Sequence, residues 1–178
     1  MIIFVAGVHG VGKTHLCREM SGTVGVKHAS ASQLIKEEKR AETWGDDKIV
    51  TEIASNQDAL TIAVDRILAQ EGALVLDGHF VLKKAPGVFA EIPMETFQRL
   101  GPSAIVLIEN EPQVVAQRLL QRDSNANAGD IKSFIDSERR AALRTSLELK
   151  IPLFVMHNPS AESFVDCIET IINFSARN

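Results

Sequence analysis

Cysteine is nearly absent from this chain: only Cys17 and Cys167 occur, far apart, and neither has a second Cys or a His at metal-ligand spacing. Linear spacing therefore argues against a zinc site and against a disulfide framework, and both residues are read as small buried hydrophobes in helices. His15, His28 and His157 lack metal spacing too and are read as structural. An excess of positive charge is also missing. With 19 Lys and Arg against 23 Asp and Glu, the formal net charge is −4, so there is no global basic field, and nucleic acid is not an expected partner. No apolar run reaches the roughly 18 residues that a membrane span needs, so no membrane partner is expected either. The apolar N-terminus leads straight into a loop whose removal would destroy the site described next, which argues against a cleaved leader and for a soluble, cytoplasmic protein. Repeats, low-complexity tracts and linkers are lacking. The length of 178 residues and the 45% hydrophobic content suit one domain, 1–178, with a single core.

What the chain does have comes at once. The apolar run Ile2-Ile3-Phe4-Val5-Ala6 is followed by Gly7-Val8-His9-Gly10-Val11-Gly12-Lys13-Thr14, a complete Walker A phosphate loop. Such a loop wraps backbone around an anion, so glycines stand where side chains would block the approach, and it empties into a helix N-terminus whose N–H groups face the phosphates. Lys13 would reach the β- and γ-phosphates, and the Thr14 hydroxyl would ligate Mg²⁺. The helix reads as His15 through Met20, ending near Gly22.

Further strand-like runs lie around Val26-Lys27-His28, at Ala73–Leu76, Ala104–Ile108 and Leu153–Met156, and helical patterns at Ile53–Ala69, Pro112–Arg122, Ile131–Leu149 and Ala161–Phe174. Short apolar strands without alternation, separated by helices, predict a doubly wound α/β domain around a parallel five-stranded sheet. All functional loops then gather on the edge that carries the phosphate loop. Two polar stretches interrupt the pattern, 36–48 and 123–130, the second a loop or lid by composition.

Asp77-Gly78-His79 follows the third strand, where an acid can hold the magnesium shell or orient a substrate group; otherwise Asp77 caps a turn. His79 either contacts substrate or fills the loop. Arg118 and Arg122, four apart on one helix face, suit a phosphate clamp, or a solvated face that complements the helix C-terminus. Arg139, Arg140 and Arg144 follow the polar loop, and Arg140 and Arg144 share a face; some of the three are surface charge. His157-Asn158-Pro159 follows the last strand. Trp44 is read as a packing anchor of its segment, the alternative being a stack on an acceptor base. Lys36, Lys39 and Arg40 read as a solvated face or a small partner-binding cluster.

In the order of these segments the chain resembles the nucleoside-monophosphate kinases, most nearly the archaeal-type adenylate kinases. The resemblance runs through Val5–Thr14; through Ala73–His79 with Val81-Leu82-Lys83-Lys84 and Pro86-Gly87; through Ala104–Glu109; through Arg118–Asp123; and through Arg140-Ala141-Ala142. It implies phosphoryl transfer from ATP with Mg²⁺ to a nucleotide or related small-molecule acceptor. Lys13, Asp77, Arg118, Arg122 and Arg140 would be catalytic, Thr14 and Asp77 would hold the metal, and residues 7–15 with Asn158 would bind ATP. The acceptor would lie against Ser30, Ser32, Lys36, Gly78 and His79, within an insertion at 30–66, under a lid at 122–131. Where the wider family carries an arginine this chain has Lys36, and where it carries a Pro-Arg pair this chain has Phe80-Val81. Lysine grips phosphate as a point charge without the bidentate fork. Two other expectations stand beside this one: a small-molecule kinase of shikimate or toxin-kinase type, and an ATPase that times an assembly step with a protein or RNA partner.

Overall fold

The computed structural model describes residues 1–41, 52–85, 87–122 and 129–175. Five parallel strands form the main sheet: β1 (Ile2–Ala6), β2 (Lys27–Ser30), β3 (Leu74–Asp77), β6 (Ala104–Glu109) and β7 (Leu153–His157), in the order β2-β3-β1-β6-β7. The predicted doubly wound α/β architecture is the observed one. Every residue of β1, β3 and β6 is buried, which is why these strands read as unbroken Val, Ile and Leu rather than as alternation.

Helices cover both faces. α1 (Lys13–Val24) and α7 (Ala161–Ser175) pack together on one side; α3 (Glu52–Glu71), α4 (Met94–Leu100) and α6 (Ile131–Leu149) form a contiguous layer on the other. α1 buries Lys13, Leu16, Cys17 and Met20, an i, i+3, i+4, i+7 stripe. On the opposite face Phe4 meets Phe80 and Phe97 edge-on, with ring centroids 5.1 and 5.4 Å away, and Phe80 lies 4.7 Å from Phe97. Burying rings of this size contributes roughly 1.5–3 kcal/mol each before packing terms. Among the described residues no helix is long and apolar enough to cross a membrane.

The bounds of α5 (Pro112–Arg122) and α6 agree with the sequence pattern residue for residue. Three elements differ from it. β4 (Val81–Ala85) and β5 (Val88–Glu91) pair antiparallel, where the sequence pattern marked no strand. α2 (Ala31–Ala41) and α4 are helices that short, mixed patterns concealed. The polar stretch 42–48 with Trp44, and residues 123–128 of the expected lid, lie outside the described residues.

Candidate active site

β1 delivers the chain to Gly7 at φ +144°, where an added Cβ would stand 2.4 Å from the Ile108 carbonyl oxygen. Only glycine fits so close to a neighbouring strand's backbone. The loop closes at Gly12, the N-cap of α1, with φ +114° and no side chain capping the helix. The first-turn N–H groups therefore have no side-chain acceptor and are suited to an anion. Among the described residues, Lys13 is the one buried Lys or Arg. Its Nζ donates to the carbonyls of Gly7 (2.5 Å) and Val8 (3.4 Å), and it is only 6% exposed. Burial pulls the ammonium down to about pKa 8, while Glu138 and Asp77 hold it partly up.

Asp77 ends β3, whose register sets Ser30 of β2 directly opposite it. Its Oδ2 lies 2.7 Å from His28 Nε2, so the acid is not a free turn cap. Gly78 sits under the Phe4 ring: a Cβ there would meet Cζ at 2.8 Å and Cε2 at 2.9 Å. The His79 ring lies 4.0 Å from that of His9 of the phosphate loop, tilted 49° to it. Burial, then Lys13 and His9, drive its pKa down to about 2, so the imidazole is neutral.

Arg118, on α5, donates from Nη1 to the Val11 carbonyl at 2.9 Å, which pins the guanidinium to the rim of the phosphate loop. Arg122 lies one turn on and lines the same cleft. Arg139 instead makes a two-pronged pair with Glu109, Nε to Oε1 at 2.6 Å and Nη2 to Oε2 at 2.5 Å. Arg144 pairs with Glu91 of β5. Arg140 donates to Ser137 at 3.0 Å and does not line the cleft. Asn158, at φ +45° after β7, accepts from Asn110 at 2.9 Å and also lies off the cleft wall.

One functional residue is not on the sequence-based roster. Glu138 of α6 is 1% exposed, and its carboxylate accepts the N–H groups of Gly7 (3.1 Å), Phe80 (3.0 and 3.1 Å) and Val81 (2.8 Å). Burial pushes its pKa up, against those three donors and Lys13. A single carboxylate thus clamps the start of the phosphate loop to the segment after Asp77. The signal was present: Glu138 stands in the buried stripe Ile131, Phe134, Ile135, Glu138, Ala141, Ala142, where an apolar residue is the rule.

These elements enclose a cleft of about 1320 Å³. It brings together Val8, His9, Gly10, Gly12, Lys13, Thr14 and His15 of the donor side with Ser30, Ser32, Lys36, Asp77, Gly78 and His79. Gly7 and Val11 do not line it. Among the described residues, the two buried side-chain polar atoms without a partner, His79 Nδ1 and Thr96 Oγ1, belong to residues of this same cleft. Buried polar atoms are rarely orphaned unless something else meets them.

Residues 6–134 match the AAA domain family (AAA_17). The adenylate kinase of Pyrococcus furiosus is 22% identical over 193 residues, covering 96% of this chain and 93% of that protein. Among solved structures, the YorR protein of Bacillus subtilis in complex with phosphorylated GDP superposes with a TM-score of 0.66 at 13% identity, over 100% of this chain and 99% of that one. The shikimate kinase of Bacteroides thetaiotaomicron gives 0.55 at 17%, over 97% and 98%. The chain accordingly belongs to the AAA domain family, and it shares the fold of these two structures.

Proposed function

We propose that the protein transfers a phosphoryl group from ATP to a nucleotide or a closely related small-molecule acceptor. The observation that carries this reading is an inversion of charge. In a chain of net charge −4, eight Lys and Arg side chains line the cleft (Lys13, Arg18, Lys36, Lys39, Lys83, Lys84, Arg118, Arg122) against two carboxylates, Asp77 and Glu91. A site so biased focuses polyanions, and the phosphate loop at its floor selects phosphate among them.

Thr14 and Asp77 supply the hard oxygen donors that magnesium takes, on the same wall as Lys13. The bound ion would neutralise charge on the donor phosphates. The protein's own groups do the positioning. Lys13 exchanges the Gly7 and Val8 carbonyls for phosphate oxygens, and Arg118 and Arg122 face the charge that develops on the transferring group. Asp77, held by His28, orients the acceptor or the metal's water.

Across the cleft the wall turns apolar, with Ile35, Leu60, Ile92, Pro93 and Phe97 beside Gln57 and Thr96. A flat apolar slot with a few polar edges suits a nucleobase better than a polyhydroxylated ring. Lys36 and Lys39 stand on this side and suit the acceptor's phosphate. We assign residues 30–66 to acceptor binding within a single domain, 1–178, and place the reaction in the cytoplasm.

The test is a coupled assay of transfer from ATP with Mg²⁺ across AMP, CMP, UMP, GMP, deoxynucleotides, nucleosides and shikimate, with Lys13→Ala as the blank. Transfer to one nucleotide, abolished in Lys13→Ala, is expected. Transfer to shikimate alone, or ATP turnover with no acceptor, would overturn the nucleotide assignment.

A further inference from the structure

Linear spacing set a zinc site aside, yet folding assembles what spacing lacked. His28 on β2 pairs in register with Val75 of β3, so Asp77, two residues along β3, projects from the same face of the sheet as its diagonal neighbour. α1 packs over this face and turns Cys17 toward it. The Cys17 sulfur, a His28 ring nitrogen and an Asp77 carboxylate oxygen lie within 4.8 Å of one another. Cys17 is fully buried, and the His28 and Asp77 side chains are 10% and 6% exposed.

We infer that Cys17, His28 and Asp77 bind one borderline divalent cation, of which Zn²⁺ fits best. Tetrahedral zinc, with bonds of about 2.0–2.3 Å to N, O and S, needs ligand atoms roughly 3.3–3.6 Å apart. The longest gap closes by at most about 1.5 Å and the 2.7 Å His28–Asp77 hydrogen bond opens by about 0.6–0.9 Å, which side-chain torsions supply. Sulfur, imidazole and one carboxylate select zinc or cobalt over magnesium, which takes oxygen and keeps its waters. The charges close as well. The ion displaces the Cys17 thiol proton and any proton on His28 to solvent, leaving thiolate, carboxylate and neutral imidazole around a divalent cation. Asp77 also lines the cleft, which gives the ion its entry and leaves a fourth position open. An ion held there would engage the carboxylate that faces the cleft, so occupancy would set whether Asp77 is available to substrate.

The experiment is titration of the full chain with Co²⁺ in excess Mg²⁺, followed by near-ultraviolet and visible absorption. It is independent of the phosphoryl-transfer reading, because no turnover is measured. One equivalent is expected to produce a thiolate-to-cobalt charge-transfer band with tetrahedral visible bands, displaced by Zn²⁺. Cys167→Ala should keep the band, whereas Cys17→Ala and His28→Ala should abolish it. In Zn²⁺ competition their affinity should fall by more than the 10–100-fold that loss of a merely orienting partner costs. If Cys17→Ala fails to fold, the near-isosteric Cys17→Ser serves, with His28→Gln reporting loss of the zinc-induced rise in Tm. No band in the wild-type chain, or a band that survives Cys17→Ala or Cys17→Ser, overturns the site.

Discussion

The Glu138 carboxylate accepts the N–H of Gly7 across 131 residues of sequence, and does so from inside the layer of helices that covers the sheet. The turn into the phosphate loop is therefore set by α6 as much as by the loop's glycines.

Replacing Glu138 by Ala leaves three buried N–H donors without an acceptor, at about 1–3 kcal/mol each. A drop of at least about 3 kcal/mol in unfolding free energy is expected in urea denaturation. Glu138→Gln, with one amide oxygen in place of two carboxylate oxygens, should recover part of the loss. An alanine variant as stable as wild type would mean that water replaces the carboxylate.

Lys13→Met should separate stability from binding. The buried ammonium faces carbonyls of its own loop, so removing it relieves a desolvation cost and the unliganded protein should gain about 1–2 kcal/mol. Nucleotide affinity, read by calorimetry, should fall on the order of 100-fold with the lost charge-assisted bonds. Loss of both properties together would show that Lys13 is a structural strut.

The same lysine gives a signed pH dependence. Its folded pKa, about 8, lies below the ordinary 10.5, so above pH 8 the unfolded chain holds the proton that the folded chain has released. Stability from this group is gained as pH rises from about 8 to 10.5 and lost as pH falls through 8, with a slope of up to about 1.4 kcal/mol per pH unit. Cys17 opposes it, because burial raises its thiol above the ordinary 9.0 and only the unfolded thiol then ionises. The difference between wild type and Lys13→Met across pH 7–10 isolates the lysine and should be positive in slope.

Gly78→Ala tests a close approach rather than a conformation. The new methyl would press the Phe4 ring, which Phe80 and Phe97 hold from other sides. Overpacking of this kind costs about 1–3 kcal/mol, measurable as a lowered midpoint in urea with unchanged slope.

The sequence carried those parts of the fold whose physics is local. The buried strands announce themselves as apolar runs, the phosphate loop as glycine spacing, and α5 and α6 as periodicity closed by polar loops. β4 stayed hidden because Val81-Leu82-Lys83-Lys84 mixes one buried with one exposed aliphatic residue, and its partner strand is held by cross-strand bonds that no single segment predicts. The site's missing pieces are long-range in the same sense. Glu138 looks like one more charge in Asp136-Ser137-Glu138-Arg139-Arg140 until Gly7 and Phe80 arrive beside it. His28 reads as structural until register brings it to Asp77. Arg140 and Asn158 are expected beside ATP, and their side chains hydrogen-bond Ser137 and Asn110.

The Glu138 clamp has a consequence for biogenesis. The carboxylate that fixes Gly7 is translated 131 residues after the phosphate loop it braces. At about 5–20 residues per second, that is a wait of roughly 7–26 s in which the glycines are exposed without their brace. An anion-binding loop braced in this way is complete only once α6 has docked, so a bound phosphate would stabilise finished chains and not nascent ones.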